Sequence, residues 1–266
     1  MKSYDDTQKT HYDRVAKELG ASPASTMPDQ IVRGSESSSI VSAVSRWLRD
    51  SGSRSEAVSI ADLGCGNGTT LALLANAFPA SRICGVEYNS ELLRIAQLVQ
   101  GVEVVWGDLV DASSLPPDKF DVVILQRVLH VIMSKSAQVV ALENIVDLLK
   151  PGGLLVAIEA FETGLQYMNE ARTEFNLPAV KMPHHNLFLP DEFFLGSGQL
   201  ERIDCGVSEH VLSSHYYLSY VVYPALVAAT GGDFNRNSIF VKMLSPMLPN
   251  VGEFGSNRFL TFRKVG

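Results

Sequence analysis

The stretch from Val58 to Phe78 narrows the fold more than any other part of this 266-residue chain. An apolar run, Val58 to Leu63, leads into Asp62-Leu63-Gly64-Cys65-Gly66-Asn67-Gly68-Thr69, and the helical run Leu71 to Phe78 follows. Strand, glycine turn and helix in that order predict the first βα unit of a parallel sheet. Glycine is needed where the backbone turns tightly and a ligand touches it, because a Cβ would collide. The loop is therefore built for a close-lying ligand. Its glycine spacing does not choose that ligand, since the dinucleotide fingerprint places its third glycine one residue later.

Beyond Val58, short apolar runs alternate with helical patterns. Strands are expected at Val58 to Leu63, Arg82 to Glu87, Val102 to Trp106, Val122 to Gln126 and Leu154 to Glu159, then at Ile203 to Leu212 and Phe259 to Lys264. This rhythm predicts an α/β fold, a Rossmann-like doubly wound sheet of about seven strands. Pro151 ends a helix before strand five, and Gly152 and Gly153 supply the turn. Residues 1–55 read as an N-terminal helical cap or lid. They comprise a polar helical start, a Pro/Ser-rich joint from Ala21 to Pro28, and a second helix from Ile31 to Leu48 with Ile40, Val44, Trp47 and Leu48 on one face. Residues 56–266 form the main domain, with an insertion after strand five at 161–194 and a second substrate-facing stretch at 213–254. The tyrosines 216, 217, 220 and 223 fall near helical spacing and are read as core.

Charge excludes one large class of partner. With 22 Lys and Arg against 29 Asp and Glu, the net charge of -7 lacks the positive field that nucleic acid requires. The three cysteines, Cys65, Cys84 and Cys205, show no CxxC pair and no zinc spacing, so no metal is expected and the thiols are read as reduced. No apolar signal core opens the sequence, and the apolar run Tyr216 to Ala229 is short and broken by Pro224, so a cytoplasmic protein without membrane contact is expected. A small molecule is the expected partner. The oligomeric state is open, with a homodimer one option.

Two further signals make the glycine loop specific. Glu87 ends the next strand 19 residues after Gly68, where a carboxylate accepts hydrogen bonds from both hydroxyls of a ribose. Gly107-Asp108-Leu109 follows the third strand, where an Asp side chain and an amide can hold an adenine edge. All three loops stand at strand C-termini, where open α/β sheets bind ligands.

Together ADLGCGNGT, VEYN, GDL, FDVVILQRVLH and LKPGG resemble, in order and spacing, the successive motifs of the class I S-adenosylmethionine-dependent methyltransferases. The resemblance covers some 100 residues, from about Val58 to Glu159. It implies S-adenosylmethionine as cofactor, with Asp62, Gly64, Gly66 and Gly68 lining the methionine moiety. Glu87 would take the ribose and Asp108 with Leu109 the adenine, Gln126 would sit near the sulfonium, and Tyr88 is a further cofactor-binding candidate. Arg33 would reach the cofactor carboxylate from the lid, as arginines do in several relatives, or make a surface salt bridge. Tyr12 would close over the cofactor or anchor the first helix. The implied activity is methyl transfer to an oxygen or nitrogen of a small-molecule acceptor of sugar or secondary-metabolite type. Alternatives are a non-catalytic cofactor-binding partner subunit and a protein methyltransferase. A nicotinamide oxidoreductase would need GxGxxG and a Tyr-xxx-Lys pair, which are missing.

Methyl transfer is an in-line displacement on an already activated carbon, so positioning does most of the work. A hydroxyl acceptor also benefits from a base. Of six histidines, His130 after strand four and the pair His184-His185 in the insertion fall where an acceptor could lie. His130 and His185 are the catalytic candidates; helix capping for the first and a structural role for the second are the competing readings. Glu159 and Glu162 flank the end of strand five and are read as solvated or capping carboxylates.

Overall fold

In a computed structural model, residues 6–20, 22, 27–51, 57–235 and 238–266 are described. The joint at residues 21–28 and the boundary at 55/56 fall largely outside the described residues. Two helices come first, α1 (Asp6–Leu19) and α2 (Gln30–Asp50). Asp29 caps α2 by accepting from the amides of Ile31 and Val32 through Oδ1, at 3.0 and 3.3 Å. The alternating units then follow: β1 (Ser59–Leu63), α3 (Thr69–Ala77), β2 (Arg82–Glu87), α4 (Ser90–Ala96), β3 (Glu103–Trp106), β4 (Phe120–Gln126), α5 (Lys135–Leu148) and β5 (Leu149–Ala160).

The seven strands stand in the order β3-β2-β1-β4-β5-β7-β6, with β6 at Leu200–Arg202 and β7 at Asn257–Lys264. The first five strands run parallel, and β7 enters antiparallel between β5 and β6. Both faces of the sheet are covered. One apolar cluster joins Leu63, Val123, Leu125 and Leu155 to α5, and the other packs Ile60, Ile124, Val156 and Ile158 against Leu71 and Leu74 of α3 and Ile40 and Val44 of α2. Near-continuous apolar strands are what double-sided burial demands. Trp47 and Leu48 pack against the second cluster from its margin, on the α2 face expected from their spacing.

The sixth strand differs from expectation. Residues 203–212 are not a strand, and β6 is the three residues before them. Asp204 Oδ1 accepts from the Gly206 amide at 2.6 Å, and Gly206 adopts φ +72°, so a side-chain-stabilised turn replaces extension there. Strand five begins at Leu149, ahead of the expected Leu154, because the Pro151-Gly152-Gly153 turn lies within it at the exposed end.

After β5 the insertion opens with α6 (Glu162–Thr173), and its later part returns to the sheet. Phe161 bridges Leu189, and the Leu189 amide donates to the Ala160 carbonyl at 2.9 Å. Helices α7 (Ser213–Tyr217) and α8 (Tyr223–Thr230) are joined by one π-helical stretch, residues 218–222, and α9 (Ile239–Leu244) follows. Tyr216 is buried, while Tyr217 and Tyr220 pack at the margins of apolar clusters. No helix among the described residues is long and apolar enough to cross a membrane, and no described group of three or more His, Cys, Asp or Glu could hold a metal ion.

Candidate active site

The C-terminal ends of β1, β2, β3 and β4 surround two neighbouring cavities. The larger, about 400 Å³, is lined by Gly64, Gly66, Glu87 and Gln126 from the sheet side and by His11, Tyr12, His185 and Asn186 from above. The smaller, about 30 Å³, reaches between Gly107, Asp108, Leu109 and Ile132. Gly64, Glu87, Tyr88 and Val128 line both, so the two form one elongated cleft.

The glycine loop needs its glycines for two reasons. Gly64, Gly66 and Gly68 all have positive φ, of 71, 57 and 82°. At Gly64 a Cβ would also stand 2.7 Å from a Val128 methyl, and at Gly68 it would stand 3.0 Å from the Ala96 Cα and 2.8 Å from Val99. Gly64 and Gly66 face the cleft. Gly68 lines neither cavity, because its close approach is to the α4–β3 connection.

Glu87 is 7% exposed and bridges two loops: one oxygen accepts from the Gly66 amide at 2.8 Å and the other from the Asn89 amide at 2.7 Å. Burial raises its pKa despite those bonds. Beneath the loop, Asp62 is 2% exposed, and its Oδ2 has no hydrogen-bond partner among the described residues. Burial, then the neighbouring Glu87 charge, pushes its carboxyl up to about 8. A buried carboxylate oxygen left unpaired is costly unless something binds it. Asp62 lines neither cavity and sits behind the loop wall. An extended nucleoside carrying an amino-acid tail fits this donor set, with a carboxylate for ribose hydroxyls, an Asp108/Leu109 slot for a flat base, and an unmet acceptor near the loop.

The floor continues into the residues after β4. Gln126 is held in one orientation, its Oε1 accepting from Thr70 Oγ1 at 2.8 Å and its Nε2 donating to Glu36 at 2.7 Å. Arg127 adopts φ +61°, uncommon for a residue with a Cβ, and its guanidinium pairs with the fully buried Glu36 of α2. Arg33, one turn earlier on α2, lines neither cavity; it is half-buried, with Nη2 3.5 Å from the Met27 carbonyl.

His130 lies in the short 3₁₀ turn that follows, 4% exposed. Glu159, at the end of β5 and fully buried, accepts from the amides of Val128, Leu129 and His130 at 2.8, 2.9 and 3.2 Å. Its Oε2 also lies 2.6 Å from His130 Nδ1. The Ala160 amide also approaches Nδ1, at 3.3 Å, but the carboxylate contact is much the shorter, which assigns the hydrogen to Nδ1 and leaves Nε2 as the basic nitrogen of a residue that lines the cleft. Glu159, expected to be solvated or capping, thus organises the whole turn.

The roof has two parts. Helix α1 brings His11 and Tyr12, tied down where Asn89 Nδ2 donates to Asp13 at 2.7 Å and Asn67 Nδ2 to the carbonyls of Ser22 and Gly20 at 3.0 and 3.3 Å. Tyr12 is pushed up to about 12, first by burial and then by the Glu87 charge. The insertion brings His185 and Asn186, held because the Leu187 amide donates to the His130 carbonyl at 2.7 Å and Gln138 Nε2 to the Leu187 carbonyl at 2.8 Å. His185 stacks on His11 with ring centroids 4.2 Å apart, and burial, then His11, His184 and His130, lowers its pKa to about 4. His184 is exposed. Sequence reasoning missed His11, Glu36, Arg127 and Asn186; only the adjacency of Arg127 to Gln126 in QRVLH hinted at any of them.

Known proteins share parts of this sequence and its fold. Residues 61–155 match the family model described as a methyltransferase domain. A trans-aconitate 2-methyltransferase of Azoarcus sp. (strain BH72) is 32% identical over 101 residues, which are 38% of this chain and 38% of that protein. The match therefore spans well under half of that relative's length. The fold is shared with the N-methyltransferase NodS from Bradyrhizobium japonicum WM9, solved with S-adenosyl-L-homocysteine, at TM-score 0.56, 14% identity and coverage of 98% and 99% of the two chains. It is shared equally with magnesium protoporphyrin IX methyltransferase from Synechocystis PCC 6803, at TM-score 0.55, 14% identity and coverage of 97% and 95%.

Proposed function

We infer that this chain, which belongs to the class I S-adenosylmethionine-dependent methyltransferases through its domain at residues 61–155, methylates an oxygen or nitrogen of a small molecule held under its roof. The observation that carries this is the His130–Glu159 pair, whose histidine lines the same cleft as the glycine loop and Glu87. S-adenosylmethionine supplies, when bound, a methyl group on an activated sulfonium.

The chain's residues would do the rest. Glu87 accepts from the ribose hydroxyls, Asp108 and Leu109 frame the adenine, and Asp62 offers the unmet acceptor behind Gly64 and Gly66. Gln126, fixed by Thr70 and Glu36, presents one rigid amide on the cleft floor. His130 removes the proton from an acceptor hydroxyl through Nε2, while Glu159 holds the ring and stabilises the imidazolium that forms. His185 is neutral at pH 7 and offers hydrogen bonding without charge. Tyr12, His11 and His185 close the space above, which favours an enclosed metabolite over a protein chain. The relative named for trans-aconitate is, by that name, an enzyme of a small acceptor, which supports the same reading.

The test is to incubate the protein with S-adenosylmethionine and panels of phenols, hydroxy acids and amines and to follow release of S-adenosylhomocysteine. Turnover with one class is expected, with rate controlled by His130. Tight cofactor binding without turnover on any acceptor would point instead to a non-catalytic partner subunit.

A further inference from the structure

Arg127 stands out in the cleft floor as a cation that the reading above leaves without a task. Its backbone is in the left-handed region, a conformation that non-glycine residues keep mainly where surrounding structure enforces it. The enforcement is visible: its amide donates to the Ile158 carbonyl at 2.8 Å, and one arm of its guanidinium is gripped by Glu36. Glu36 itself is already engaged, accepting also from Gln126 at 2.7 Å and from Asn257 at 3.4 Å, and it does not line the cleft. The other guanidinium nitrogens, Nε and Nη2, take no partner among the described residues, although Arg127 lines the cavity. A second guanidinium, Arg33, lies close enough for the two charges to repel. A planar fork with donors left over and a fixed back is the arrangement that recognises a carboxylate.

We propose that Arg127, positioned by Glu36, is a carboxylate-binding subsite of the cleft. This rests on the methyltransferase reading, and the carboxylate is either the one on the cofactor's amino-acid end or one on the acceptor. The neutral histidines and Tyr12 around the remaining roof add no competing anion there, and Glu87 is engaged with Gly66 and Asn89.

The experiment is calorimetric. S-adenosylhomocysteine and 5′-methylthioadenosine, which lacks the amino-acid end, are titrated into the wild-type protein, Arg127→Met, Arg127→Lys and the double variant Glu36→Gln/Arg127→Met. The double variant avoids leaving Glu36 buried and unpaired. If the subsite serves the cofactor, Arg127→Met and the double variant weaken S-adenosylhomocysteine at least tenfold and methylthioadenosine less than twofold, with Arg127→Lys in between. If it serves the acceptor, both nucleosides bind as before. Fumarate or tricarballylate then binds the S-adenosylhomocysteine-saturated wild type at least tenfold tighter than either variant, and the methyl esters show no such difference. A loss shared equally by both nucleosides, or no carboxylate-dependent loss in either arm, overturns the subsite alone. Wild-type protein that binds neither nucleoside overturns the methyltransferase reading itself.

Discussion

The wall and the roof of the cleft are built in opposite ways. The wall, from Asp62 to Leu109, comes from three successive strand ends, and its key bonds are made by backbone amides: Gly66 and Asn89 to Glu87, Val110 to Asp108. The roof joins α1 to an insertion more than 170 residues away, and among the described residues His11 stacks on His185 across that join. Backbone-built walls are set once the sheet forms, whereas a roof of side-chain contacts can differ from one protein to the next without disturbing the sheet. A shared cofactor belongs against the first and an individual acceptor under the second.

The sharpest way to break this division is at His130, which hangs from the wall but faces the roof. Replacing it with Ala should lower kcat by about 10²–10⁴-fold, the usual range for a positioned base, and leave S-adenosylhomocysteine affinity within about twofold. Steady-state kinetics beside calorimetry would show it, and a matching loss of cofactor affinity would mean that the residue belongs to the wall after all. Next in size is Gly64→Ala. It combines a left-handed backbone with a methyl 2.7 Å from Val128, and should cost about 2–4 kcal/mol of folding stability in urea denaturation.

Asp62→Asn separates folding from binding. With the native carboxyl raised to about 8, the folded protein keeps a proton that the unfolded chain releases near the ordinary carboxylate value. Wild-type stability therefore falls as pH rises from about 4 to about 8. The Asn variant should flatten that slope and be more stable at pH 8 by about 1–3 kcal/mol, while binding S-adenosylhomocysteine more weakly. Unchanged affinity would remove Asp62 from the ligand wall. The smallest effect lies in the roof. His185, lowered to about 4, loses stability as pH falls from its ordinary 6.5 towards 4, because the unfolded chain takes up the proton first. Half-exposed and screened, it should contribute under about 1 kcal/mol, and His185→Gln should reduce the acid slope by that amount.

This difference between regions also explains what could be read from sequence. Parallel strands buried on both faces write themselves as apolar runs, and glycine turns and strand-end acids recur at fixed intervals. Six of the seven strands and the loops bearing Gly64, Glu87 and Asp108 were legible for that reason. The strand expected at Ile203 to Leu212 failed because its apolar residues hide the Asp204–Gly206 turn. Glu159 reads as solvated or capping; it caps the turn after β4 from a distance, and nothing local shows that three amides and an imidazole converge on it. Glu36 sits in a serine-rich helix whose pattern gives no sign that one carboxylate points inward to Arg127, some 90 residues later. His11 meets His185 only after the chain has closed over the sheet.

The most direct test of the cofactor site is a calorimetric titration of S-adenosylmethionine and of NADH into the protein and into Glu87→Ala. The site described here predicts binding of S-adenosylmethionine alone, weakened at least about a hundredfold in the variant by loss of two charged hydrogen bonds at about 1.5–3 kcal/mol each. A preference for NADH, or S-adenosylmethionine binding that does not depend on Glu87, would contradict it.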